Sequence, residues 1–333
     1  MHRYYRALIR AVFFVSALLI VSSPSQAFDI IAHRGASGYL PEHTLAAATL
    51  AHAQAPDYIE QDVVLSRDHI PIVLHDIHLE TVTNVESVFP ERARKDGRFY
   101  AIDFTLAELK TLRIHERHNA EGKAVFPSRF GSERTDFRIA TLREHIELIV
   151  ELNRLTHSTV GFYTEIKSPS WHKRQGADIS NIVLNTLADY GLTANDANLI
   201  LQCFDLKEIK RIRDELNYTG KLIMLIGDNS WQESDTDYQA LRTVRGIDTL
   251  TPYVDGIGPW ITHLVSASQD IPDWLQRAKT KGLIVHPYTF RTDALPGKMT
   301  SIQLLSLLKE QLAVDGVFTD QVPAVKAYLH GRD

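Results

Sequence analysis

Short apolar runs recur along the 333-residue chain, with amphipathic stretches between them. The runs fall at 29–33, 58–65, 70–75, 161–166, 198–204, 221–226, 254–258, 283–289 and 316–319. Most are continuously apolar rather than strictly alternating, as in strands covered on both faces. Helical spacing marks 44–54, 142–155, 178–189, 206–216, 272–281 and 302–312, and Thr44 is placed to cap the first of these. This order predicts parallel βαβ units. About eight such units in ~300 residues predict an α/β fold of the closed TIM-type (β/α)8 barrel, an open doubly wound sheet being the weaker alternative. The stretch 79–140 breaks the rhythm, being rich in Arg, Glu, Asp and Phe with weak periodicity. It is expected to be a small subdomain inserted on the barrel.

The N-terminus changes the domain picture. Arg3, Arg6 and Arg10 precede an apolar run at 11–21, and Ser25-Gln26-Ala27 has the small residues of a cleavage site. The run is shorter than the ~20 residues of a spanning helix. A signal peptide over 1–27 is therefore expected, cleaved after Ala27, with a retained N-terminal anchor as the alternative. The mature chain, 28–333, would be one barrel domain without stable membrane insertion. Cleavage removes three arginines and no acid, so the net charge goes from −5 to −8. Such a chain has no bulk attraction for nucleic acid or anionic membranes. A 44% hydrophobic content supports a large core. The single cysteine, Cys203, excludes an intramolecular disulfide, and export without disulfides points to a bacterial periplasm. No cysteine at the cleavage site offers a lipid anchor. The oligomeric state is not fixed by the sequence, and a homodimer is compatible with it.

Candidate chemistry collects at the strand ends. His33 and Arg34 end the first run, and His75 ends the third. Glu60 and Asp62, two apart on one strand, share a face, as do Glu165 and Lys167. Gln202, Tyr288 and Thr319-Asp320 lie near later strand ends. A parallel barrel opens all these ends on one mouth, where barrel enzymes carry their active sites. Glu60, Asp62 and Glu165 would there place three carboxylates together, which suits a hard divalent cation with oxygen ligands. The alternative is ordinary salt bridging. Two histidines beside such a site suit proton transfer near neutral pH. Arg34 and Lys167 suit phosphoryl oxygens, or else merely neutralise the acids. Glu42 and His43 read as a helix-start cluster, and His52, His115, His118 and His157 as surface residues. On its strand Cys203 should face away from Gln202 and Phe204, as a small core residue rather than a nucleophile.

Several stretches carry a family resemblance: AHRGASGYLPEHTLAA, YIEQDVVLSRDHIPIVLHD, YTEIKSP, ILQCFD, YVDGIGP, IVHPYTF and DGVFTDQVP. Over about 29–329 the chain resembles the glycerophosphodiester phosphodiesterase family, in its secreted periplasmic branch. The first two stretches together are specific, whereas His-Arg-Gly alone would be weak. The resemblance implies a TIM barrel with an inserted subdomain, and one divalent cation, typically Ca2+ with Mg2+ second, on Glu60, Asp62 and Glu165. His33 and His75 match the acid–base pair, and Arg34 and Lys167 match phosphate contacts. Glu42 matches a site glutamate, and Gln202 and Tyr288 join the substrate-binding set. Cys203 departs from the serine of many relatives. The implied reaction hydrolyses glycerophosphodiesters, small-molecule substrates, to sn-glycerol 3-phosphate and an alcohol. Rivals are a phospholipase C- or D-like barrel acting on intact lipids and a non-catalytic binder of phosphorylated polyols. The first would want an apolar rim, yet Val88-Phe89, Phe99-Tyr100 and Phe126 are interleaved with charges. The second would not need two histidines.

Overall fold

The computed structural model describes residues 28–131, 135–193, 198–265 and 270–331. The signal peptide expected over 1–27 lies outside the described residues. Among the described residues nine strands occur: β1 (Asp29–Ala32), β2 (Tyr58–Leu65), β3 (Pro71–Val73), β4 (Gly161–Ile166), β5 (Leu199–Cys203), β6 (Lys221–Ile226), β7 (Gly256–Pro259), β8 (Ile284–Val285) and β9 (Gly316–Thr319). All but β3 pair in parallel, in the order β8-β7-β6-β5-β4-β2-β1-β9. Beyond the two residues of β8 the chain continues the ring. Phe318 N donates to Pro287 O at 3.0 Å and Phe290 N to Phe318 O at 2.8 Å. The result is the expected eight-stranded parallel barrel.

The run at 70–75 was expected to be a barrel strand and is not one. It forms β3, antiparallel to β2, with Val63 opposite Val73 and Leu65 opposite Pro71. The cause is the short connection. Ser66 N donates to Ile70 O at 3.1 Å, the Ser66 hydroxyl to Asp68 Oδ1 at 2.7 Å, and His69 takes φ +58°. Such a hairpin can join only antiparallel strands, because a parallel neighbour needs a crossover of about a dozen residues or more.

The two-residue period sorts the strands' side chains. Ile59, Val63, Leu65, Phe162, Ile166, Leu199, Leu201 and Cys203 face outward into the core beneath the helices. Ile31, Tyr163, Ile200, Ile223 and Phe318 face inward and plug the barrel. Residues 79–140 gather Leu79, Val85, Phe104, Leu112 and Ile139 around an apolar cluster that Val64 and Ile72 of the β2–β3 hairpin join. The hairpin is thus the mount of this segment.

Helix Leu142–Thr156 follows from its sequence. Thr141 and Glu144 form a reciprocal capping box, and Leu142, Ile146 and Ile149 bury one stripe. Its Asn153 corrects one assignment: His52 is buried, not on the surface, with Nε2 donating to Asn153 Oδ1 at 2.9 Å. The half-buried His115 and His118 stack at 4.4 Å, and His157 is exposed. Cys203 is buried, accepts from Asp205 N at 3.3 Å, and burial pushes its thiol well above the usual range.

Where β7 meets β6 and β8, a Cβ on Gly256 would lie 2.5 Å from Ile284 O and 2.6 Å from Ile223 Cδ1. Backbone cannot yield as a side chain does. Gly256→Ala is expected to cost about 1–3 kcal/mol in denaturant unfolding, and a change near zero would contradict this packing.

Candidate active site

Register assembles the acidic centre. Asp62 pairs with Glu165, and Glu165 with Gln202, across three adjacent parallel strands. Neighbouring strands lie ~4.8 Å apart, so these inward side chains form one layer, and Glu60 sits two residues back on β2. Oxygens of Glu60, Asp62 and Glu165 all lie within 4.8 Å of one another, and all three residues are buried. Gln202 Nε2 donates to Glu60 Oε1 at 2.7 Å.

Three acids this close cannot share one ionisation behaviour. Burial, and then the neighbouring Asp62 charge, push Glu60 well above the usual carboxylate range. Burial pushes Glu165 up as well, against the pull of Lys167. Burial opposes ionisation of Asp62 too, but His43, His75 and Arg34 hold it well below. His43 Nε2 donates to Asp62 Oδ2 at 2.8 Å, while Asp62 Oδ1 is buried with no hydrogen-bond partner. An orphaned carboxylate oxygen between two acids kept from ionising is the setting a hard cation satisfies. The donor set therefore fits a divalent ion.

Two histidines face the same cavity of about 270 Å³ that Glu60, Asp62, Glu165 and Arg34 line. His33 Nδ1 donates to Asp320 Oδ1 at 2.6 Å, and His75 Nδ1 to Asp76 Oδ1 at 2.6 Å. A carboxylate only accepts, so each ring carries its proton on Nδ1 and leaves Nε2 unprotonated. Lys167 Nζ donates to His75 Nε2 at 3.4 Å, which fixes the same tautomer from the other side. Burial, then the Arg34 charge, lowers His33 to about 3 and His75 to about 4, Lys167 adding to the latter. Both rings are neutral at pH 7.

The remaining expected residues fall into two groups. Arg34 reaches Glu42 Oε2 at 3.0 Å and Asp62 Oδ2 at 3.4 Å and lines the cavity. Lys167 Nζ lies 2.8 Å from Glu165 Oε1 and 3.8 Å from Glu233 Oε2. Gln202 and Tyr288 line the cavity, although the Tyr288 hydroxyl already donates to Ile226 O at 3.1 Å. Glu42 differs in kind. Its two oxygens are held by Arg34 and by Arg117, which places it behind the Arg34 guanidinium. His43 is more than a helix-start residue, since it grips Asp62 while Thr44 caps helix Leu45–Ala53.

Sequence reasoning missed the supporting charges. Arg117 Nη1 donates to Asp76 Oδ2 at 2.6 Å and Nη2 to Glu42 Oε1 at 2.6 Å. It is supplied by the 79–140 segment and ties the carboxylate behind His75 to the one behind Arg34. Asp320 accepts from Arg129 and Arg291, each at 2.7 Å, as well as from His33. Asp320 was placed at the mouth by its strand-end position, without its part behind His33; Arg117 and Arg129 follow no motif. Arg117→Met would leave two half-buried carboxylates, Glu42 and Asp76, short of their cation. About 3 kcal/mol of stability is expected to go with it, together with a fall in whatever activity the site has. A melting temperature within a degree of the parent would contradict the bridge.

The sequence model of the Glycerophosphoryl diester phosphodiesterase family matches residues 33–324. The chain is 39% identical over 326 residues to a glycerophosphodiester phosphodiesterase of Haemophilus influenzae, covering 91% of this chain and 90% of that protein. It is 35% identical to the enzyme so named from Treponema pallidum, covering 92% of each. Among solved structures, a putative glycerophosphoryl diester phosphodiesterase from Silicibacter pomeroyi superposes with a TM-score of 0.68 at 19% identity, over 93% of this chain and 95% of that one. A phosphodiesterase of Oleispira antarctica, in complex with the product sn-glycerol-3-phosphate, gives 0.61 at 22% identity over 91% and 96%. At these identities the structures speak to the fold, and the sequence matches to the lineage. On those matches, the chain belongs to the glycerophosphoryl diester phosphodiesterase family.

Proposed function

We propose that the protein hydrolyses glycerophosphodiesters, the deacylated forms of phospholipids, to sn-glycerol 3-phosphate and an alcohol. The names of its sequence relatives and the product seen in the Oleispira antarctica neighbour support the reaction. The observation that carries the mechanism is a pair of imidazoles on one cavity, each backed by its own carboxylate. Glu60, Asp62 and Glu165 would hold one divalent cation, Ca2+ before Mg2+, whose charge would stabilise negative charge on the phosphoryl oxygens.

The chain's own residues do the rest. Arg34 and Lys167 bind phosphoryl oxygens, one as a fork and one as a point charge. Asp320 and Asp76 fix the imidazole tautomers. The phosphate brings negative charge beside the rings and favours the protonated form of the one that acts as acid, while the other stays neutral with Nε2 free. One Nε2 then takes the proton of the attacking oxygen as the new P–O bond forms. The other gives a proton to the departing alkoxide as the old P–O bond breaks. The attacker is water or the neighbouring glycerol hydroxyl. Trapping a cyclic phosphate would identify the second.

The test is release of sn-glycerol 3-phosphate from glycerophosphocholine, read by a coupled dehydrogenase, beside phospholipid vesicles as the competing substrate. Turnover of vesicles but not of the deacylated diester would overturn the substrate class. Binding without release would make the protein a binder. Among the described residues no helix is long and apolar enough to cross a membrane. We propose a periplasmic location on the strength of the basic start and apolar run before Ala27. Fractionation of expressing cells, with the mature N-terminus at Phe28, checks it.

A further inference from the structure

The cavity has two unlike walls. One carries His33, Arg34, His75 and the acids. The other comes from the chain following β5, β6, β7 and β8 and is aromatic: Phe204, Trp231, Trp260 and Tyr288. Two of the chain's four tryptophans stand here. The Trp231 and Trp260 rings meet at 63° with centroids 4.9 Å apart, and Phe204 meets Tyr288 edge-on at 5.8 Å.

This wall is built, not incidental. Trp231 is 39% exposed, yet its ring is held in place. A Cβ on Gly227 would come within 2.9 Å of Trp231 Cε3 and 3.2 Å of Phe204 Cε1, so only bare backbone at 227 leaves room for the two rings. Asp228 Oδ1 accepts from Ser230 N at 3.0 Å and caps the turn that carries Trp231. Trp260 is braced edge-on by His263 at 5.1 Å. Glu233 lines the same cavity, 3.8 Å from Lys167 Nζ, where the charged wall meets the aromatic one.

None of these side chains is required to hold a phosphate or move a proton. A neutral polyol would look for hydroxyl partners, and the Tyr288 hydroxyl is already committed to Ile226 O. A quaternary ammonium has the opposite needs. It donates no hydrogen bonds, is weakly hydrated, and is drawn to aromatic faces and to a carboxylate. We propose that Phe204, Trp231, Trp260 and Tyr288, with Glu233, form a subsite for a quaternary ammonium head group, so that diesters of a methylated cationic alcohol are preferred over diesters of neutral polyols. The preference rests on the phosphodiesterase reading; the subsite itself does not.

The test compares kcat/KM for glycerophosphocholine and glycerophosphoglycerol, which share everything but the head group. The parent is expected to favour the first on the order of tenfold. Trp231→Leu, Trp260→Leu and Glu233→Gln are each expected to reduce that ratio several-fold. Alongside, tryptophan fluorescence reports binding of free choline and of 3,3-dimethylbutanol, its uncharged isostere. Choline is expected to bind the parent more tightly, again on the order of tenfold. A parent ratio of one or less, or a ratio unmoved in all three variants, overturns the proposal. If a variant loses both substrates together, the choline comparison on the parent decides. If the parent hydrolyses neither diester, the phosphodiesterase reading fails, and equal binding of choline and its isostere would sink the subsite as well.

Discussion

His33→Ala and His75→Ala are each expected to lower kcat on glycerophosphocholine by about 10³-fold, within the range of general acid–base groups, while the fold survives. The surviving fold follows from the partners left behind. Without His33, Asp320 still holds Arg129 and Arg291. Without His75, Asp76 still holds Arg117 and the Thr81 hydroxyl. Neither deletion strands a buried carboxylate, so denaturant midpoints should stay close to that of the parent. The double variant is expected to be little worse than either single one, because groups acting on one transition state are not additive. A single variant retaining a tenth of the parent rate would remove the acid–base assignment. A collapse of stability would make the ring structural instead.

The second large effect is expected from chelation. Stripping divalent ions should abolish turnover and lower the melting temperature together. A ligand bound only by the native state adds about 2.7 kcal/mol at a hundred times its Kd. The physical origin is the conflict in the acid trio, where burial and mutual repulsion hold Glu60 and Glu165 out of their usual ionised state. Restoring Ca2+, Mg2+ or Mn2+ in turn ranks the ions in activity and in melting temperature. Asp62→Asn should erase the ion's thermal shift, because it removes the charge of the one acid that stays readily ionised. Full activity after chelation, or a thermal shift that persists in Asp62→Asn, would contradict the assignment of these ligands.

How far the sequence reached depended on whether a signal was local. Strand periodicity is local, so Glu60-x-Asp62 and Glu165-x-Lys167 could be set on one inner face before any coordinates. The barrel then converted sequence positions into a common mouth. The apolar spacing at 142–155 was equally readable and agrees with the helix found there. The β3 hairpin was lost because an apolar triplet looks the same whether it pairs in parallel or antiparallel. The distinction lay in a four-residue turn. Short helices such as Pro169–Arg174 and Tyr238–Leu241 are too brief for periodicity to register. At the site, the first ring of residues was legible and the second was not. Arg117 lies 41 residues from its partner Asp76, and Arg129 lies 191 from Asp320, in a segment with weak patterning. His43 sat in view, but its grip on Asp62 depends on a left-handed backbone with φ +60°, which histidine rarely advertises. The aromatic wall was hidden because Trp231 and Trp260 belong to loops after different strands.

The lone thiol on β5 gives the molecule a built-in reporter. Cys203 is sealed under the helices, so a thiol reagent in solution meets it only when the barrel parts. Labelling kinetics on the untouched sequence therefore read out how often the native state opens. Each variant discussed above can be ranked for integrity on that one clock, without adding a dye or a second cysteine.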